Sequence, residues 1–306
     1  MAQRILYFLV PGNNVSPFDV TIAADAGFDQ VIPLTGVQPE QVTAIVQDAI
    51  FCRPPKRYND TGIFIGGRDV HLAADMFRIA ARAMVDDFRV GVFADPNGAY
   101  TTSASVIALV ERALLARAGT GFEGRSVAVF GAGPVGLCTA VLAAKQGAQA
   151  RLCQLTADDD ERVALRFCER YGATVEWTPA LSQREKRQIL GRAEVAVCAA
   201  KAGVRILDAE LLDGADRLQV VADTNAVPPS GIDGVGAQDR ETLVQRGKAS
   251  FLSIGPLAIG NLKYKTQFAL YRAIQTSPEP ALLDFPDAFR CASEELAKSD
   301  AVPVAA

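Results

Sequence analysis

The chain has 306 residues, of which 49% are hydrophobic, with few runs rich in proline or glycine; that is enough for one large or two medium globular domains. A net charge of −4 and a pI near 5.2 leave no basic field for nucleic acid. No apolar run reaches membrane-spanning length, so the expected partner is a small molecule.

The opening Met-Ala-Gln-Arg4 is too short for a signal peptide, and Ile5 to Val10 reads as a first strand, so the expected compartment is the cytoplasm. Pro11 to Asn14 ends that strand in a loop. Ser16 then reads as an N-cap, Pro17 as the first helical residue and Asp19 as a first-turn acid. Such an acid can serve the helix dipole alone. Asp19 also lies just past the end of a strand, which is where α/β sheets bind ligands. Phe18 beside it suits a core or hydrophobic-staple position as well as an aromatic ligand face.

Gln30 to Leu34 reads as a strand, Pro39 to Ala49 as a helix, Phe51 to Asp60 as a polar loop and Thr61 to Ile65 as a strand. Asp69 caps a helix to about Val85, placing His71 in its first turn, and Arg89 to Ala94 is the next strand. Asp95-Pro-Asn97-Gly98 has turn chemistry, with a threonine cap expected before a long helix that ends near Ala118 and connects two domains. Six cysteines, at 52, 138, 153, 168, 198 and 291, lie far apart, and His71 is the only histidine that could join them. No metal site is expected, and the cysteines read as mostly buried free thiols.

Ser126 to Phe130 is an apolar strand that runs at once into Gly131-Ala132-Gly133-Pro134-Val135-Gly136 and a helix over Leu137 to Gln146. Strand, glycine spacing and helix together form a dinucleotide fingerprint. Gly131 permits the tight turn, Gly133 lets backbone approach a pyrophosphate, and Gly136 lets the helix lie close on the sheet. Gln149 to Leu155 closes the βαβ unit. Its end carries Gln154 and Thr156 where an acid would mark NAD. Arg162 favours a 2′-phosphate there and Asp158 to Asp160 oppose one, so the residues alone leave NAD and NADP open.

A helix over Asp158 to Tyr171, a strand Thr174 to Trp177, a helix Ser182 to Leu190 and strands Val195 to Ala199 and Gln219 to Asp223 continue the alternation. That pattern predicts a Rossmann-type doubly wound parallel sheet. Asp223, Asn225 and Ala226 open a turn-rich loop at the ligand edge, placed to touch the reactive end of a cofactor. Ser250 to Ile254 is a last strand, and Gly255 onward opens a helix to about Ile274, with Lys263 near a helix start that does not favour a cation. Asp284 to Lys298 is a final helix.

Ser16-Pro-Phe-Asp-Val20, Ile63-Phe-Ile-Gly-Gly67, Asp95-Pro-Asn-Gly98 with Thr101-Thr102, Gly131 to Gly136, Asp223 to Ile232 and Gly260-Asn-Leu-Lys-Tyr-Lys265 together resemble the NAD(P)-dependent methylene-tetrahydromethanopterin dehydrogenases of methylotrophic bacteria. The resemblance spans essentially the whole chain. It implies oxidation of a methylene-bridged pterin carrier to its methenyl form in formaldehyde oxidation, with hydride passed to NAD+ or NADP+. It also implies a homo-oligomer, a trimer, and two α/β domains with a cleft between them: 1–110 for the pterin, 111–258 for NAD(P), and helices over 259–306 returning to the first. Gln154 lacks the basic residues of the NADP-restricted branch, which favours dual specificity. Asp19 and Lys263, each following a strand, are the catalytic candidates and are expected to meet across the cleft. Phe18, Asp95, Asn97, Gly98 and Thr102 are the substrate-binding candidates, and Gly131, Ala132, Gly133, Pro134, Val135, Gly136, Gln154, Thr156, Asp223, Asn225 and Ala226 the cofactor-binding ones. Alternatives on the same scaffold are a methylene-tetrahydrofolate dehydrogenase, a two-domain amino-acid or shikimate-type dehydrogenase, and a non-catalytic dinucleotide sensor.

Overall fold

The computed structural model describes residues 3–301. The chain divides into two compact units, one running up to Thr101 and resuming at Lys263, the other spanning Thr102–Leu262. The divisions fall at these residues rather than at 110 and 258.

The first unit holds a five-stranded parallel sheet in the order β12-β4-β3-β1-β2, built from β1 (Ile5–Val10), β2 (Gln30–Thr35), β3 (Thr61–Ile65), β4 (Gly91–Ala94) and β12 (Leu282–Leu283). Its helices are α1 (Pro17–Asp25), α2 (Pro39–Phe51), α3 (Val70–Arg82), α10 (Phe285–Ala301) and the part of α9 (Pro256–Thr276) from Lys263 on. Every residue of β3 and β4 is buried, as a parallel sheet covered on both faces requires. A Cβ on Gly62 or Gly91 would stand 2.9 or 2.7 Å from the Ile274 methyl, so these glycines let α9 lie directly on the sheet. Phe64, Phe93 and Tyr271 form the aromatic centre of that packing, with Phe8 edge-on to Phe64.

The second unit is a seven-stranded sheet in the order β10-β11-β9-β8-β5-β6-β7. Its strands are β5 (Ser126–Phe130), β6 (Gln149–Gln154), β7 (Glu176–Pro179), β8 (Val195–Cys198), β9 (Val220–Asp223), β10 (Arg240–Arg246) and β11 (Ala249–Ile254). All pairings are parallel except β10 with β11. α4 (Ala99–Ala118) leads in, and α5 (Pro134–Lys145), α6 (Glu161–Arg170), α7 (Gln183–Leu190) and α8 (Ala209–Asp213) connect the strands. The chain leaves β5 towards β6 and β7, then returns to β8 on the other side of β5, which creates a switch point at their C-terminal ends. In the first unit, β1 stands likewise between β2 and β3.

Several boundaries differ from the sequence expectations. α4 begins at Ala99 and has no threonine cap, because Asp95 accepts hydrogen bonds from Tyr100 N and Thr101 N. The stretch read as a loop after Ala49 holds the end of α2 and a 3-10 turn over Pro55–Asp60. α6 starts at Glu161 with Asp160 as its cap, and β7 lies two residues later than the Thr174 to Trp177 expected. α9 starts at Pro256, next to the expected Gly255, but Lys263 lies two turns inside the helix rather than near its start, and the macrodipole no longer weighs against it. β10, β12 and the short α8 were not anticipated. Of the cysteines, Cys138, Cys153, Cys168 and Cys198 are buried, Cys291 is half-buried and Cys52 is exposed.

Candidate active site

The first unit gathers its ionisable side chains where β1 and β4 end. Ser16 caps α1 by accepting from Asp19 N at 3.3 Å, and this turn carries the Asp19 side chain inward, leaving it only 3% exposed. Burial sets Asp19 apart from a solvated helix-dipole acid. Its Oδ1 accepts a hydrogen bond of 2.7 Å from Gln267 Nε2, and Gln267 Oε1 in turn accepts one of 2.7 Å from Lys263 Nζ. Lys263 and Gln267 lie one turn apart on α9, so one face of that helix delivers both to Asp19. Asp19 and Lys263 therefore belong to the same unit and meet through an amide within it, not across a cleft as expected.

Phe18 is neither core nor staple: it is 47% exposed, and the Lys263 ammonium lies 3.7 Å from its ring centroid, a cation–π contact. Asp95, fully buried, accepts from Thr101 Oγ1 at 2.5 Å as well as from the two α4 amides. Asn97 (φ 52°) and Gly98 (φ 66°) are both left-handed, which explains Asn-Gly at this turn, and Asn97 is exposed. Thr102 is half-buried and belongs to the second unit; its neighbour Thr101 is the residue that engages Asp95.

The electrostatics follow from burial. Desolvation pushes the Asp19 carboxyl up, against the Gln267 hydrogen bond, the Lys263 charge and Ser16, which pull it down. Asp95 is raised to about 6 by desolvation, with Lys263 opposing and Asp19 adding to the rise. Lys263 is lowered by desolvation, against the attraction of Asp95 and Asp19. Tyr271, below Gln267 on the same helix face, is driven well above the ordinary tyrosine range by burial and stays a phenol. The cluster couples one cation, Lys263, to two carboxylates, Asp19 and Asp95. His71 stands in the first turn of α3, its backbone N donating to Asp69.

In the second unit the turn after β5 is shaped by its glycines. Gly131 has φ 114°, and a Cβ there would stand 2.7 Å from Ala199 O at the end of β8. A Cβ on Gly136 would fall 1.9 Å from Gly131 O, whereas one on Gly133 would meet no atom within 4 Å. Gly133 is the exposed N-cap of α5 and no side chain caps that helix; Ala132, Pro134 and Val135 are half-buried around it. An open, uncapped helix start over a backbone without a Cβ fits a pyrophosphate.

At the end of β6, Gln154 Nε2 donates to Thr156 O at 2.9 Å. Asp159 Oδ2 accepts from the backbone N–H groups of both Leu155 and Thr156 at 3.1 Å, an arrangement not anticipated from the sequence. Asp223 is fully buried and holds Asn225 N and Ile232 N at 3.0 and 3.2 Å. Asn225 in turn accepts from Gly203 N and Val227 N and donates to Pro229 O. Both side chains are thus engaged in shaping the loop, and Ala226, Val227, Pro228 and Pro229 are what it exposes. Among the described residues no cluster of His, Cys, Asp and Glu suits a metal, and no helix is long and apolar enough to cross a membrane.

Residues 17–97 match the family model described as methylene-tetrahydromethanopterin dehydrogenase, N-terminal. The chain is 43% identical over 298 residues, 96% of its length and 99% of the relative's, to the NAD(P)-dependent methylenetetrahydromethanopterin dehydrogenase of Methylorubrum extorquens. It is 30% identical over 295 residues, again 96% and 99% of the two chains, to the bifunctional protein MdtA of the same organism. Among solved structures, the quinate dehydrogenase from Corynebacterium glutamicum in complex with NAD is similar at a TM-score of 0.52 and 12% identity, over 96% of this chain and 99% of that one. The shikimate 5-dehydrogenase from Listeria monocytogenes in complex with shikimate and NAD gives a TM-score of 0.51 and 14% identity, over 96% of each. At that identity these two structures speak for the two-domain α/β dehydrogenase fold alone.

Proposed function

Because the chain belongs to the methylene-tetrahydromethanopterin dehydrogenase family, we propose that it oxidises a methylene-tetrahydropterin carrier to the methenyl form with NAD+ or NADP+ as oxidant. The identity to the Methylorubrum dehydrogenase along nearly the whole chain carries this reading. The family resemblance adds a homo-oligomer, a trimer, serving formaldehyde oxidation in methylotrophs, and the N-terminal residues add a cytoplasmic location.

In such a substrate the carbon that loses hydride is flanked by two nitrogens. The product cation is delocalised over them and no proton need move, so the demand on the protein is positional and electrostatic. A site with a buried carboxylate and a lysine, and without histidine, suits that demand. Asp19, when ionised, stabilises the growing positive charge. Lys263 orients the pterin through its remaining N–H groups, and Phe18 offers its exposed face to the ring. Asp95, Asn97, Gly98 and Thr102 are assigned to the substrate side. Bound NAD(P)+ supplies the hydride acceptor. The open turn at Gly131, Ala132, Gly133, Pro134, Val135 and Gly136 is the residue set for its pyrophosphate, Gln154 and Thr156 for the adenosine ribose, and the loop at Asp223, Asn225 and Ala226 for the nicotinamide end.

The decisive assay is turnover of methylene-tetrahydromethanopterin with each nucleotide, beside methylene-tetrahydrofolate. Methenyl product with either nucleotide is expected. Nucleotide binding without reduction identifies a sensor, and turnover with the folate carrier alone reassigns the substrate.

Cofactor choice has its own test. Asp159 places a carboxylate on the two amides that a 2′-phosphate would approach. Asp159→Asn is expected to improve the NADP+ over NAD+ ratio of kcat/KM by roughly tenfold, by removing like-charge repulsion while keeping an oxygen acceptor. Gln154→Arg should act in the same direction and Gln154→Asp in the other. Ratios that stay constant across all three variants mean that the ribose lies elsewhere.

A further inference from the structure

α9 carries Lys263, Gln267, Tyr271 and Gln275 at four-residue intervals, a single stripe along the helix. The stripe is tied to α1 and its exit by Gln267 to Asp19 and by Gln275 Nε2 to Ala26 O at 3.1 Å, while Tyr271 meets Phe28 edge-on. Within it Gln267 is fully buried and uncharged, yet it touches both charged candidates. Its orientation is fixed by chemistry, since the amide N–H can only serve the carboxylate and the amide oxygen only the ammonium. Asp19 and Lys263 form no direct ion pair; the amide stands between them.

We infer that Gln267 is a positioning residue of the reaction, a neutral spacer that satisfies Asp19 and Lys263 at once and so presents them to the substrate as two separate charges. The inference rests on the functional reading above. A direct Asp19–Lys263 pair would largely cancel the field at the reacting carbon, and an unsatisfied Lys263 would rotate away from Phe18.

The informative variant is Gln267→Glu, because its two protonation states act on Asp19 in opposite ways. Protonated, the new side chain mimics glutamine: its O–H donates to Asp19 and its carbonyl accepts from Lys263. Ionised, it still accepts from Lys263 but sets a negative charge against Asp19. The groups that face it are Asp19 on α1, Lys263 and Tyr271 on α9, and Asp95 after β4 through its charge. The ratio of kcat in Gln267→Glu to wild type should therefore approach one at the acid end and fall about tenfold or more as pH rises through the new carboxyl's titration. A purely structural amide predicts a ratio flat with pH, and a flat ratio overturns the inference.

Gln267→Met keeps the volume and removes both hydrogen bonds. It should lower kcat about tenfold with the nucleotide KM unchanged. Normal kcat in the folded Met variant also overturns the inference, and if that variant does not fold, the pH ratio of Gln267→Glu decides alone. Wild type and Asp19→Asn are assayed alongside. No turnover by wild type, or unaltered kcat in Asp19→Asn, removes the reading on which Gln267 depends. The expected behaviour of both, with a flat ratio, removes Gln267 only.

Discussion

Asp19→Asn is expected to lower kcat on the order of 10²-fold with little change in nucleotide KM, the size of losing one preorganised electrostatic partner. The substitution isolates charge from shape, because an asparagine Oδ1 can still accept from Gln267 Nε2. What disappears is the charge, which acts on Lys263, Asp95 and the developing N–C–N cation; of these only the last grows towards the transition state, and such an interaction appears in kcat. Melting behaviour separates this from a helix-dipole role, which predicts slightly earlier melting and normal turnover. Burial raises the Asp19 carboxyl, so the stability linked to its protonated form is full below the unfolded value of about 4 and is lost as pH rises through the higher folded value. The Asn variant carries no such loss. Its melting temperature should therefore gain on wild type as pH rises above about 4. Lys263→Met should differ by also raising the pterin KM, and the double variant should be less than additive.

Gly133→Val and Gly136→Ala, three residues apart, should fail in opposite ways. A side chain at Gly133 meets no protein atom, so the fold should survive. The valine methyls nevertheless occupy the surface over which a pyrophosphate must approach the α5 amides, and the nucleotide KM should rise on the order of 10²-fold. At Gly136 the new methyl would fall 1.9 Å from Gly131 O, a backbone atom that cannot swing aside. Even alanine should cost roughly 1–3 kcal/mol or more and appear as earlier melting before any kinetic effect. Nucleotide KM unchanged in a folded Gly133→Val protein moves the pyrophosphate off this turn. A Gly136→Ala protein as stable as wild type removes the packing argument.

What could be read from the chain alone were the features with a short physical period. The β1 run into Ser16-Pro17, the β5 run into Gly131, and the Asp69 cap each place a strand or helix by local chemistry. β10 escaped because Arg240–Arg246 is charged at both ends with no clean alternation, as befits an exposed sheet edge. The opening of α9 at Gly255 is legible, but Gly260-Asn261 resembles a helix boundary and makes Lys263 look like a terminal cation, when it lies two turns inside. Gln267 stayed invisible because a glutamine among helix formers looks like a solvated amide. Its four-residue spacing from Lys263 was the available signal, but the partner it reaches is 248 positions away. Asp159 was visible as part of an acidic run, and what the sequence did not disclose is that its carboxylate folds back on the Leu155 and Thr156 amides.

The unit that holds Asp19 is discontinuous, and this fixes an order of events at the ribosome. Thr102–Leu262 is an uninterrupted stretch and can close its sheet while synthesis continues, as nascent domains generally fold in the order in which they emerge. Asp19 is made early but must wait, with its carboxylate unsatisfied, until α9 delivers Gln267 and Lys263, and β12 can join the edge of its sheet only after that. A nascent chain stalled near Leu262 would thus own the finished glycine turn after β5 and an Asp19 without Gln267 or Lys263. On the roles proposed above, premature termination there would leave a chain able to bind dinucleotide but lacking the lysine and glutamine of the substrate side.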